Sequence, residues 1–157
     1  MKIAIFPGSF DPITLGHLDI IKRAAACFDK VYVCVMTNCV KHPMFEPEKR
    51  LELIRNSVED IENVEVEAYN GLLAAYARSK GATVLVKGVR NGTDFDTEYQ
   101  QALINKGICA ELETVLLPAS APYQHFSSTM VREMIRYGQP LEQYVPAPVA
   151  EELKERK

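Results

Sequence analysis

Ile3-Ala4-Ile5-Phe6-Pro7-Gly8-Ser9-Phe10-Asp11-Pro12-Ile13-Thr14-Leu15-Gly16-His17 begins as an unbroken apolar run, turns through proline and glycine, and ends where a helical pattern starts. Apolar residues on both parities of 3–6 predict a strand buried on both faces. From residue 17 to 28 the apolar positions Leu18, Ile21, Ala24, Ala25 and Phe28 recur with the period of a helix that buries one face. Strand, tight loop and helix open a parallel crossover unit, and the pattern recurs downstream. Strands are predicted at 2–6, 30–36, 64–68, 83–87 and 113–117. Helices are predicted at 17–28, 48–58, 71–79, 94–105, 128–137 and from 148 onward. The runs Val31-Tyr32-Val33-Cys34-Val35-Met36 and Val84-Leu85-Val86 are again apolar on both faces. The predicted class is α/β: a Rossmann-like domain with a five-stranded parallel sheet flanked by helices. In such open sheets a ligand sits at the carboxyl ends of the strands, where strand order reverses. The loops after the strands are therefore where chemistry is sought.

With 157 residues and 47% hydrophobic content the chain can bury one good core, and no repeat or low-complexity linker divides it. One domain over residues 1–157 is expected. A net charge of -3 lacks the basic excess that binding a nucleic-acid backbone requires. No apolar run approaches the roughly 20 residues of a membrane span, and Pro7 cuts the apolar start short of a secretory leader. A cytoplasmic protein is expected. Cys27, Cys34, Cys39 and Cys109 form neither a C-x-x-C pair nor a metal-ligand spacing with the histidines. They read as reduced thiols, core or near-surface.

Pro7-Gly8 and Asp11-Pro12 are ordinary turn dipeptides. The polar residues around them point to more than a turn. Ser9 offers a hydroxyl and a backbone N–H beside a glycine that permits close approach, while Thr14, Gly16 and His17 gather at a helix N-terminus. Unpaired N–H groups and a partial positive charge suit that end to a phosphate, and Gly16 leaves it room. The same end disfavours an imidazolium, so a neutral His17 ring donating one hydrogen bond is expected. Neither a G-x-G-x-x-G dinucleotide fingerprint nor a Walker loop is present.

Phe126-Ser127-Ser128-Thr129-Met130-Val131-Arg132-Glu133 sets three hydroxyls at a helix start, where Ser128 as a plain N-cap explains them as well as phosphate binding does. In Val84-Leu85-Val86-Lys87-Gly88-Val89-Arg90-Asn91 a buried strand ends on two cations. These are solvated surface charges or, at this place in the sheet, phosphate donors, with Arg90 supplying a planar fork. Lys41, in Asn38-Cys39-Val40-Lys41-His42-Pro43, holds a similar post after the second strand.

The Thr14-x-Gly16-His17 element resembles the nucleotidyltransferase superfamily. Taken in order, the stretches at 7–17, 41–45 (Lys-His-Pro-Met-Phe), 87–90 (Lys-Gly-Val-Arg), 94–100 (Asp-Phe-Asp-x-Glu-Tyr-Gln) and 127–133 resemble the phosphopantetheine adenylyltransferase family, a likeness running from residue 2 to about 148. The resemblance implies an enzyme that transfers the adenylyl group of ATP to 4′-phosphopantetheine, giving dephospho-coenzyme A and pyrophosphate, with Mg2+ bound to ATP. It implies His17 as the catalytic residue, contacting the α-phosphate. It implies ATP binding by Ser9, Phe10, His17, Gly88, Val89, Arg90, Glu98, Tyr123, Gln124, His125, Phe126, Ser127, Ser128 and Thr129. Ser9, Lys41, Leu73 and Lys87 would bind the acceptor, the two lysines its phosphate and Leu73 its pantetheine arm, with Asn105 and Glu133 as further pocket residues. A bacterial cytoplasmic homohexamer, with coenzyme A as a feedback ligand, is implied as well.

Ser9 and Lys87 stand where the family more often has threonine and arginine. Serine keeps the hydroxyl, whereas lysine keeps the charge but not the bidentate fork. An attacking phosphate is already an anion, so the missing carboxylate pair and Ser-His-Asp set are no objection. Two alternatives stay open: a related enzyme with another acceptor, such as a nicotinamide-mononucleotide adenylyltransferase or a glycerol-phosphate cytidylyltransferase, and a nucleotide-binding regulator. Tyr76 and Tyr99 read as core.

Overall fold

The computed structural model describes residues 1–156; Lys157 and the side chain of Cys39 lie outside that description. The strands β1 (Ile3–Gly8), β2 (Lys30–Met36), β3 (Val64–Tyr69), β4 (Val84–Val89) and β5 (Glu113–Pro118) form one parallel sheet in the order β3-β2-β1-β4-β5. Helices α1 (Leu15–Cys27), α2 (Pro47–Ser57), α3 (Leu73–Ser79), α4 (Gly92–Ile108), α5 (Ser128–Arg136) and α6 (Ala147–Glu155) flank it. The α/β class and the five-stranded sheet are as the sequence predicts.

Alternation along each strand divides the apolar side chains between two cores. Ala4, Phe6, Val31, Val33, Val35 and Val86 face α1, α2, α5 and α6, while Ile5, Cys34, Met36 and Leu85 face α3 and the turn after α4 around Cys109 and Leu112. Both faces of the sheet are covered, which is why its central strands read as continuous apolar runs.

The element bounds depart from the predicted ones for identifiable reasons. Helix α1 starts at Leu15 rather than His17 because Thr14 caps it, and β1 runs through Pro7 to Gly8 in register with Cys34 and Val35 of β2. Pro7 has no N–H for a second neighbour, and the β1–β4 ladder indeed ends early: it pairs Ala4 with Val84 and Ile5 with Leu85 and goes no further. Beyond that point β1 and β4 no longer pair. Strand order reverses here, so the opening is the crevice where such sheets take a ligand. The helix predicted at 94–105 extends over Gly92–Ile108, capped by the Asn91 side chain on Asp94 N–H. Two short 3-10 turns, Thr37–Cys39 and Ala121–Tyr123, carry no apolar period and escape the sequence reading.

Tyr76 is core, as expected, but Tyr99 is not: it stands 53% exposed on α4 and stacks on Phe95. Helix α4 buries only Asn105, which leaves Phe95, Tyr99, Leu103, Ile104 and Ile108 on the surface. Of the cysteines, Cys34 and Cys109 are buried and Cys27 is exposed, all three as free thiols.

Candidate active site

At the open end of the β1–β4 seam lies a cavity of about 330 Å³. The loop after β1 contributes Ser9, Phe10 and, from the start of α1, Gly16 and His17. Strand β4 and the start of α4 add Lys87, Gly88, Arg90, Asp94 and Glu98, and the segment leading into α5 adds Tyr123, Phe126, Ser127, Ser128, Thr129 and Arg132. Two helix N-termini, those of α1 and α5, thus border one polar cavity with three cations and two carboxylates.

The histidine owes its place to the helix start. Thr14 is the N-cap and His17 the third helical residue, which closes a capping box: the Thr14 hydroxyl accepts His17 N–H at 3.2 Å, and His17 Nδ1 accepts Thr14 N–H at 3.0 Å. A ring nitrogen that accepts from a backbone N–H carries no proton. The neutral tautomer therefore holds its proton on Nε2. Burial in this apolar corner, and then the Arg90 charge, lower the His17 pKa from 6.5 to about 4. A neutral donor was expected from the helix end; the larger causes are burial and Arg90.

Phe10 builds the corner. It is held at φ 48°, the left-handed region that costs a non-glycine residue about 1–3 kcal/mol. Its ring meets His17 edge-on at 5.1 Å between centroids and Phe6 at 5.3 Å. It also lies so close to Gly8 that a Cβ there would stand 3.0 Å from Phe10 Cε2, so any side chain at that position would press on the ring. At Gly16 a Cβ would meet the Thr14 hydroxyl and Phe126 at 3.4 and 3.6 Å, ordinary contact distances, so the protein itself leaves room for a side chain there.

The cations are not free-floating. Arg90 grips Asp94 through Nε at 2.9 Å and Nη2 at 3.3 Å, and its backbone N–H joins the same carboxylate at 3.0 Å. Burial works against the Asp94 charge, but these bonds outweigh it and hold the carboxyl below its usual range. Lys87 stands 3.2 Å from Glu98 Oε2, an ion pair whose poor alignment leaves that buried oxygen without a hydrogen bond. On α5 the N-cap is Ser127, which accepts Met130 N–H; Ser128 instead donates to Pro12 O at 2.7 Å and ties the two loops together.

Several predicted positions are not in this cavity. Lys41 is exposed and Leu73 packs on the second core, while Val89, Gln124 and His125 lie beside the lining residues. Gln124 reaches Arg90 O at 3.5 Å. Asn105 is buried within α4, and Glu133 is exposed and pairs with Arg136. Conversely, Asp94, Arg132, Ile20 and Ala119 line the cavity without having been singled out. Asp94 could have been found as the carboxylate four residues after Arg90 and four before Glu98. Arg132, three residues after Thr129, and Asp94 both fall in stretches that carry the family resemblance.

A cytidylyltransferase-like family model matches residues 5–134, which puts the chain in the nucleotidyltransferase class. The phosphopantetheine adenylyltransferase of Caldanaerobacter subterraneus subsp. tengcongensis is 46% identical over 156 residues, 99% of this chain and 98% of the relative. Those of Synechococcus sp. strain JA-3-3Ab and Desulforudis audaxviator are 49% and 48% identical, covering 98% and 99% of this chain and 97% and 96% of theirs. The chain belongs to the phosphopantetheine adenylyltransferase family. A crystal structure assigned as a nicotinate-nucleotide adenylyltransferase of Vibrio parahaemolyticus, 22% identical, superposes with a TM-score of 0.72 over 99% of this chain and 93% of that one, which bears on the fold alone.

Proposed function

We propose that this chain transfers the adenylyl group of ATP to 4′-phosphopantetheine. An oxygen of the acceptor phosphate attacks the α-phosphorus in line, the bond to the β-phosphate oxygen breaks, and its electron pair leaves with pyrophosphate. The nucleophile is already anionic, so no protein base is required, and the protein's part is positioning and charge stabilisation. His17 Nε2–H donates to a non-bridging α-phosphate oxygen as charge grows on the five-coordinate phosphorus. The observation that carries this reading is the Thr14–His17 capping box, which holds a neutral, Nε2-protonated imidazole where the N-terminus of α1 meets the cavity.

Around it, Ser9 and the Phe10 backbone, Gly88, Val89, Arg90 and Tyr123 to Thr129 bind ATP. Glu98 offers its unbonded Oε2 to a hydroxyl or amine of the nucleotide. Lys87 takes the acceptor phosphate from within the cavity. Roles for Lys41 and Leu73 in acceptor binding are supported by family likeness alone. Magnesium bound to ATP would neutralise the departing pyrophosphate. Among the described residues no cluster of three His, Cys, Asp or Glu side chains forms a cage for it, so phosphate oxygens and water would hold it. Coenzyme A as a feedback ligand and a homohexamer rest on the same likeness, and the exposed apolar face of α4 supports self-association of some order. The proposed setting is the cytoplasm, in keeping with the absence, among the described residues, of a helix long and apolar enough to cross a membrane.

The test is pyrophosphate release from MgATP with and without 4′-phosphopantetheine, with the product identified by mass. Release that needs phosphopantetheine and yields dephospho-coenzyme A is expected, and His17→Ala should lower turnover by roughly 10²–10³ with little change in ATP binding. Preference for another acceptor or for CTP would move the assignment within the superfamily. ATP binding without turnover would indicate a nucleotide-binding regulator.

A further inference from the structure

The left-handed turn at Phe10 is clamped from three distant points. Before it, Ser9 O accepts Arg50 Nη1–H at 2.8 Å; after it, Asp11 O accepts Arg132 Nη1–H at 2.7 Å. The Asp11 carboxylate takes Met44 N–H at 2.7 Å on one oxygen and Phe45 N–H at 2.8 Å on the other. Arg50 Nε then donates to Phe45 O at 3.0 Å. Ser9, Arg50, Phe45 and Asp11 thus close a ring of hydrogen bonds around Phe10, most of it buried: Arg50 and Asp11 are 1% exposed and Phe45 is fully buried.

Its chemistry is unusual for charged groups at such depth. No ion-pair partner stands by either Arg50 or Asp11 among the described residues, although burying a charge without a counter-ion is costly. Both direct their donors and acceptors at backbone atoms of two loops. Such an arrangement fixes backbone conformation, and the backbone it fixes is the strained one beside His17.

We infer that Arg50 and Asp11 are positioning residues for His17: they hold Phe10 in its left-handed turn, so that its ring forms the wall against which the imidazole stands. The same ring of bonds registers the loop at 40–46, which carries Lys41, against the catalytic turn. The kinetic half of this inference rests on the adenylyl-transfer reading; the placement of His17 does not.

The test compares wild type with Arg50→Met, Arg50→Lys and Asp11→Asn, each first checked for cooperative unfolding. Asparagine keeps the shape of Asp11 but sets an N–H against one of the two donors. In Arg50→Met, kcat with both substrates saturating should fall about 100-fold, the scale of a misplacement near 1 Å. The ATP dissociation constant should stay within about threefold, and the His17 titration seen by NMR should rise from its low midpoint as the ring loses its wall. Arg50→Lys, which can bridge only one carbonyl well, should recover part of both readouts. A folded Arg50→Met with wild-type His17 titration and kcat within threefold would overturn the inference and leave Arg50 a fold stabiliser. Should Arg50→Met not fold, Asp11→Asn and Arg50→Lys decide by the same two readouts, with effects nearer tenfold expected in kcat. If the wild type itself makes no dephospho-coenzyme A, the functional reading fails, and the His17 titration alone still decides the positioning.

Discussion

Thr14 donates its backbone N–H to Nδ1 of His17 at 3.0 Å, and His17 returns its own N–H to the Thr14 hydroxyl at 3.2 Å. One residue pair thereby caps the helix and selects the tautomer of its histidine.

His17 should titrate near pH 4 and be Nε2-protonated above it. Its folded pKa, about 4, lies below its unfolded value of 6.5. The unfolded chain therefore takes up the proton first, and the stability contributed is full above pH 6.5 and lost as pH falls toward 4. The loss amounts to about 3 kcal/mol. Nitrogen-resolved NMR of the imidazole checks both points, and a midpoint between 6 and 7 would contradict the geometry.

Gly8→Ala should destabilise the protein by about 1–3 kcal/mol, the usual cost of overpacking. The added Cβ meets a Phe10 ring that is pinned by Phe6 and His17, so it has little room to retreat. Denaturant unfolding measures the loss. Because the displaced ring abuts His17, turnover should drop in the folded variant as well.

Replacing Arg90 with glutamine should act on Asp94 and on nucleotide binding together. With the guanidinium gone, Asp94 loses its side-chain bonds and the nearby positive charge and keeps only the backbone N–H of residue 90, so its pKa rises. In wild type the depressed carboxyl contributes stability above the ordinary carboxylate range, lost as pH falls through its folded value; the variant keeps less of that contribution. Acid unfolding reads the difference. Loss of charge-assisted hydrogen bonds should weaken ATP binding by about 10–100-fold in titration calorimetry.

Among the described thiols only Cys27 should react in the native protein. Burial, with the Glu67 charge behind it, pushes Cys34 up to about 12, and Cys109 is also buried, whereas Cys27 is exposed. Timed alkylation followed by peptide mass spectrometry should label Cys27 at once, and Cys34 and Cys109 only on unfolding. Native labelling of Cys34 would contradict its place in the core.

The apolar face of α4 should govern assembly. Leu103 and Ile104 are 56% and 55% exposed in the single chain. Leu103→Glu should lower the molar mass measured by light scattering below that of the wild type without unfolding the chain. An unchanged mass would place the interface elsewhere.

Much was determined by sequence alone. Apolar period settles which residues form strands and helices, because burial of a face follows spacing along the chain, and this carried the α/β class and the sheet. That Thr14, Gly16 and His17 gather at a helix N-terminus was legible because such an end is a local object. Local rules did not reach Tyr99, which looks like core by composition and is exposed because α4 turns that side away from the sheet. They did not reveal Asp94 or Arg132 in the cavity, or the ring through Arg50, 41 residues from the Ser9 carbonyl it holds. Strand order put β1 beside β4 and ended their ladder at Ile5 and Leu85; only then did separate loops become one site. Hydrogen bonds and charge act through space over a few ångströms, and which residues come that close is decided by the tertiary fold.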